Sequence, residues 1–342
     1  MIEAIEAKPY PSKGGRIHFS YISGRKILNY IEYPETTDPP KELIKFYSIT
    51  QNGVNALTEG FIWAANPLTF NDPFDCPIQL WNGSLTKEFH DVIKKSLGII
   101  CFHEFSLNDQ DILWGYYTDQ KGFAIKFSSH KLIKHWGDPF KVEYIAINEL
   151  DHFNLPPKKE DIFPMILRWV TQKKHIWKNE NEWRFIFPLL KIDSCTGDTI
   201  EMEREKKYDP LGIEEVILGL KFFHQTNMVE VSKHDSYYII QGEQHKIQNE
   251  LLEFLSFPSE IPVKHMYMKE DELIMTPRPC KIFNQNNGRF NIHYLLSEEE
   301  YKNALKRLEM IFDAPNDTPE SDEANELVLL IDQYEQAHYP ID

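Results

Sequence analysis

"WKNENEWRFIF", residues 177 to 187, sets two opposite demands side by side. Its second half, Trp183 to Phe187, is aromatic and β-branched, the composition of a strand bound for the interior. Its first half places Glu180 and Glu182 immediately before that strand. Side chains at i and i+2 of an extended chain project the same way. The two glutamates therefore either solvate a turn, with Arg184 pairing one of them, or form a carboxylate pair at the mouth of a core strand. A pair of that kind suits a reaction that passes through positive charge on a sugar carbon, where charge placed in advance is usually the larger catalytic term.

Outward from this stretch the chain reads as α+β. Upstream, "LIKFYSI" (43–49), "FIWAA" (61–65), "GIICF" (98–102) and "GFAIKF" (122–127) are short strand candidates, and "TQNGVNALTEG" (50–60) is a small helix. The run 159–177 puts Ile162, Ile166, Leu167 and Val170 on one helical face and is expected to end where the acidic stretch begins. Downstream, "WRFIF" and "IEEVILGLKF" (213–222) complete a core expected over residues 41–235. Residues 1–40 read as irregular, and 236–296 as a mixed connector. From 297 the pattern sharpens: Ser297 with Glu300 is a capping box, and Tyr301, Ala304, Leu305, Leu308 and Phe312 form an apolar stripe. Thr318 and Pro319 begin a second helix striped by Ala324, Leu327, Val328, Ile331 and Tyr334. Residues 297–342 are thus an αα-hairpin with polar outer faces, expected to dock on something.

Composition narrows the functions. A net charge of −16 argues against a protein that coats nucleic acid. Cys76, Cys101, Cys195 and Cys280 are widely spaced, with neither a zinc pattern nor a disulfide framework. The acidic, polar N-terminus lacks the basic start and apolar run of a signal peptide, and no stretch has the ~18 apolar residues of a membrane span, so a cytoplasmic location is expected. In "FNDPFD" (70–75), Asn71 and Asp72 are a ligand loop or a turn cap before Pro73. His103 and Glu104 mark the polar exit of a strand, and Cys101 reads as buried and inert.

Taken in order, "KFYSI", "FNDPFDC", "ICFHEF", "LWGYYTDQKGFAIKF", "NENEWRFI" and "EEVILGLKF" resemble the bacterial family called domain of unknown function 2971, over residues 43–223. Tyr116 stands where that family more often has His. The aromatic first strand and the late E-x-E at the opening of a strand also resemble the ADP-ribosyltransferase arrangement. That resemblance implies a mixed-sheet core with NAD as substrate, Glu182 as the catalytic carboxylate and Glu180 as the group that positions the acceptor. It implies NAD-binding roles for Tyr47, Trp114, Tyr116, Tyr117, Asn71, Asp72 and Arg184, with Trp114 or Tyr117 stacking on nicotinamide, and no metal. The chain lacks the arginine or histidine of that superfamily's first strand, offering Lys45 and Tyr47 instead, and it lacks a clear Ser-Thr-Ser motif.

The tail resembles a different family. "ALKRLEMIFDA", "TPE", "DEANELVLLIDQYE" and "HYPI", from Ser297 to Ile341, are similar to the segment that precedes the DNA-binding helices of HigA-type antitoxins. This implies a toxin-antitoxin or phage-defence setting and a cognate antitoxin or chaperone bound through 297–342. Three functions compete: a toxin-like ADP-ribosyltransferase acting on RNA, DNA or protein; an inactive protein-binding component; and a metal-dependent nuclease built from the acid pair with Asp72 or Asp75. Carboxylate clusters suit magnesium, but the sequence offers no lysine in a convincing catalytic spacing, which places the nuclease third.

Overall fold

The structure is a computed structural model. It describes residues 16–22, 25–32, 38–70, 72, 75, 97–104, 110–145, 170–192, 199–224, 226–232, 235–241, 245–269, 274–315 and 318–339. The chain is α+β, built mainly on antiparallel strand pairing.

From the N-terminus run β1 (Arg16–Ile22), β2 (Arg25–Glu32), β3 (Glu42–Tyr47), α1 (Gln51–Thr58), β4 (Phe61–Trp63) and β5 (Leu97–Glu104). Next come α2 (Gln110–Thr118), β6 (Phe123–Ser128), α3 (Ser129–Trp136), β7 (Phe140–Lys141), β8 (Glu143–Ile145) and β9 (Gln172–Lys174). A 3-10 helix, His175–Glu180, leads into β10 (Glu182–Pro188), followed by β11 (Leu190–Ile192), β12 (Thr199–Glu201), β13 (Glu205–Lys207) and β14 (Ile213–Leu218). The remainder is β15 (Asn227–Ser232), β16 (Asp235–Ile239), α4 (Lys246–Leu255), β17 (Val263–Lys269), β18 (Ile274–Asn284), β19 (Arg289–Tyr294), α5 (Glu298–Ile311) and α6 (Pro319–His338).

These elements fall into two compact units. The first holds Met1–Lys45, Asn55–Leu113 and Lys126–Ile213; the second holds Phe46–Val54, Trp114–Ile125 and Glu214–Asp342. In the first, strands run in the order β6-β3-β5-β10-β7, β6 contributing from Lys126 onward and β3 as far as Lys45. Strand β10 pairs antiparallel with β5 and β7 on its two sides, with Glu182 opposite His103 and Arg184 opposite Cys101. Period-two alternation then divides the strand. Trp183 and Phe185 face an aromatic layer in which Phe185 lies 5.6 Å from Phe102 and 5.2 Å from Trp136. Glu182 and Arg184 face the other way.

In the second unit the order is β15-β16-β19-β18-β17-β14, with β14 and β17 parallel and β15–β16, β16–β19, β19–β18 and β18–β17 antiparallel. The span 236–296, which reads as mixed, resolves here into β16, α4 and β17–β19. Pro277 and Pro279 obscure β18 in the sequence. They are tolerated because they pair with β17 alone: β19 joins the strand only from Cys280 onward.

The αα-hairpin forms as expected. Ser297 and Glu300 make both bonds of the capping box, and the Thr318 hydroxyl accepts from the Ser321 N–H. Leu296, Ala304, Leu330, Ile331 and Tyr334 close its core, with Tyr301 stacked on Tyr334 at 4.2 Å. Its outer faces are less polar than the pattern suggested: Met310, Phe312 and Leu329 are each more than 60% exposed.

Two further expectations change. Within the supposedly irregular first forty residues, β1 and β2 pair as an antiparallel hairpin; alternation through Ile17, Phe19 and Tyr21 outweighs the prolines on either flank. The helix expected over 159–177 does not reach its end, because residues 172–174 are strand β9 and 175–180 a 3-10 helix. Pairing of β9 with β8 overrides the helical period there. Ile162, Ile166 and Leu167 lie outside the described residues, while Val170 is fully buried. Among the described residues no helix is long and apolar enough to cross a membrane.

Candidate active site

Between the two glutamates the chain turns sharply. Asn181 is left-handed (φ 41°, ψ 53°), ending the 3-10 helix with its N–H on the Lys178 carbonyl, a conformation asparagine tolerates better than most residues. Its own carbonyl accepts from the Glu104 N–H at 3.0 Å, tying the turn to the end of β5. The two carboxylates therefore converge through a turn, and not through strand alternation as the spacing suggested.

They converge on Lys173 of β9. Its ammonium lies 2.5 Å from Glu180 Oε2, 3.1 Å from Glu182 Oε2 and 3.3 Å from Asp75 Oδ2. Arg184 makes the second set of bonds: Nε donates to Glu182 Oε1 at 2.7 Å, Nη2 to Glu182 Oε2 at 3.0 Å and to Asp75 Oδ1 at 2.7 Å, and Nη1 to the Val170 carbonyl at 2.8 Å. The Phe70 ring lies 5.4 Å from the guanidinium. Glu180 is 3% exposed, Glu182 1% and Arg184 0%. The bland expectation of two solvated glutamates is thereby overturned, although its Arg184–Glu182 pairing is present.

Burial on this scale opposes charge, so the partners decide the ionisation. For Glu182, burial pushes the carboxyl up, but Arg184 and then Lys173 outweigh it and hold it well below the usual carboxylate range. His103, opposite Glu182, is pushed down to about 4 by burial and is neutral at pH 7. Its Nδ1 sits 3.0 Å from the Glu180 carbonyl, an atom that can only accept, so Nδ1 carries the proton. Lys45 donates to the Cys101 carbonyl at 3.0 Å, and burial lowers its ammonium from the ordinary value. Burial also pushes the Cys101 thiol well up, which keeps it protonated and unreactive. The Glu182 N–H donates to the Tyr144 hydroxyl at 2.8 Å.

Of the residues singled out from sequence, Glu180, Glu182 and Arg184 meet in this cluster. Asp72 accepts from the Trp177 indole at 2.7 Å, and that ring lies 5.6 Å from the Lys173 ammonium. Asn71 lies outside the described residues. Tyr47, Trp114, Tyr116 and Tyr117 belong to the second unit. There Trp114 is fully buried, edge-on to Phe46 at 5.0 Å. Tyr117 stacks on Phe46 at 6.1 Å, Tyr47 stacks on Phe123 at 5.4 Å, and Tyr116 is 45% exposed.

Lys173 and Tyr144 were missed. A signal existed for the lysine: a buried acid pair needs cations, and Lys173, Lys174, Lys178 and Arg184 are the nearby basic side chains. The sequence shows no lysine in a convincing catalytic spacing, yet the fold brings Lys173 against both acids. Among the described residues, no group of three or more His, Cys, Asp or Glu is arranged to hold a metal ion. No family model matches the chain, and no curated protein or solved structure matches it.

Proposed function

We propose that the first unit is a group-transfer enzyme of the ADP-ribosyltransferase type, a diverged member of the domain of unknown function 2971 family. NAD is its substrate, and the setting is a toxin-antitoxin or phage-defence locus. The observation that carries the reading is the meeting of Glu180 and Glu182 at one cation, at the entry of a core strand. Two carboxylates so placed fit a reaction in which the bond from ribose to nicotinamide breaks, nicotinamide leaves with the electron pair, and the ribosyl cation is captured by an acceptor that gives up a proton. Glu182, held ionised, faces the developing positive charge; Glu180 orients the acceptor. The hairpin at 297–342 is the surface for a cognate antitoxin or chaperone.

Incubation with NAD labelled in its adenylate half, with protein, RNA and DNA offered as acceptors, tests this. Label should become covalently attached to one acceptor class as nicotinamide appears. Nicotinamide release without attachment would make the protein a hydrolase; neither would remove the proposal.

A second reading, a catalytically inactive protein-binding component, is favoured by the burial of both carboxylates in ion pairs. On that reading the cluster is a structural keystone. The metal-dependent nuclease ranks third, because a divalent ion needs carboxylate oxygens that are here bonded to Lys173 and Arg184.

A further inference from the structure

We propose that Lys173 is the positioning residue of this site, holding Glu180 and Glu182 together as an ionised pair. The activity arm of this inference rests on the proposed function; the titration arm does not.

Like charges that share a site cannot both stay ionised unless a cation lies between them. Arg184 meets that need for Glu182 and Asp75. Lys173 is the side chain that bonds Glu180 and Glu182 at once, at 2.5 and 3.1 Å. The fold holds it there from two directions. Strands β8 and β9 pair in parallel with Tyr144 opposite Lys173, and the Tyr144 hydroxyl accepts the Glu182 N–H, so one strand pair presents two groups to the same glutamate. On the other side stands the Trp177 indole, 5.6 Å from the ammonium, with its N–H anchored on Asp72. An ammonium against an aromatic face and several carboxylates is well held. Among the described residues, the groups facing the acid pair include Lys173, Arg184, Asp75, His103, Lys45 and Tyr144.

Without the ammonium, Glu180 and Glu182 become a like-charged pair beside Asp75, and one of them takes up a proton more readily than in wild type. The site would then lose its ionised pair while keeping its shape.

The test compares wild type, Lys173→Met, Lys173→Arg and the double variant Lys173→Met/Glu180→Gln, each labelled with ¹³C at the glutamate carboxyls. Carboxyl titration is followed by NMR, and the pH profile of nicotinamide release is measured beside it. In Lys173→Met one glutamate should titrate at least one pH unit above any wild-type carboxyl of the cluster. The acid limb of kcat should rise by the same interval, about tenfold in rate per unit on that limb, with KM for NAD little changed. Lys173→Arg should restore both, and the double variant should return the remaining glutamate to ionised behaviour. An unchanged titration in Lys173→Met would overturn the inference, as would a raised titration that persists in the double variant. If wild type releases no nicotinamide, the functional proposal fails, while the titrations still decide the role of Lys173.

Discussion

Replacing Arg184 with methionine keeps much of the side chain's length and removes its charge. Arg184 is fully buried and donates to Glu182 through two nitrogens, to Asp75 and to the Val170 carbonyl. Its loss leaves two carboxylates short of a partner, while Lys173 stays in contact with both. Breaking a buried pair by removing one side costs about 3–5 kcal/mol, which for a unit of this size is about 6–20 °C in its thermal midpoint. The cost depends on pH, and the sign follows from the depressed carboxyl of Glu182. A carboxyl held below its unfolded value contributes stability that is present above about 4.5 and lost as pH falls through the folded value. The gap between wild type and variant should therefore be largest near pH 7 and narrow only as pH falls below about 4.5, through the folded value. Urea unfolding followed by tryptophan fluorescence, at several pH values, measures it. A gap below about 1 kcal/mol at pH 7, or one that stays undiminished at acid pH well below about 4.5, would refute the electrostatic reasoning.

Other expectations concern the second unit and the hairpin. His265 is buried, with Nδ1 2.9 Å from the Tyr294 hydroxyl, and burial lowers it to about 4; stability should fall from pH 6.5 toward 4 by about 3 kcal/mol. His265→Gln should remove its share of the slope in urea midpoints and leave the like share of His103, and an unchanged slope would place the titration elsewhere. Gly122→Ala puts a methyl 2.1 Å from the Tyr47 carbonyl oxygen and should cost about 1–3 kcal/mol in the same measurement; a neutral result would contradict this close approach. Tyr334→Ala removes the stacking partner of Tyr301 and a core residue of the hairpin, and should cost about 3–5 kcal/mol, read as lost helical dichroism on mild heating.

What the sequence disclosed follows the range of the interactions involved. Strand β10 is legible because its alternation is local, and α5 and α6 because the capping residues and stripes lie within a few turns of one another. Lys173 was hidden because "TQKKHIW" continues a helical period, and only the pairing of β9 with β8 breaks it. Asp75 lies 109 residues from its partner Arg184, a separation that no local pattern reports. Strand β18 was masked by Pro277 and Pro279, whose tolerance depends on where β19 joins. The E-x-E spacing pointed to two carboxylates that do meet, but for an incomplete reason, since the left-handed Asn181 brings them together.

The most direct measurement is nicotinamide release from NAD by wild type and by Glu182→Gln, compared after both are shown folded by their unfolding curves. Glutamine keeps the size of the side chain and removes the charge that faces the reacting sugar. The account expects wild type to release nicotinamide and Glu182→Gln to lose at least a hundredfold of that rate, on the scale of losing one preorganised electrostatic contact. Equal rates from the two proteins, or no release from a folded wild type supplied with acceptors and partner, would contradict it and leave the buried acid pair as a structural element.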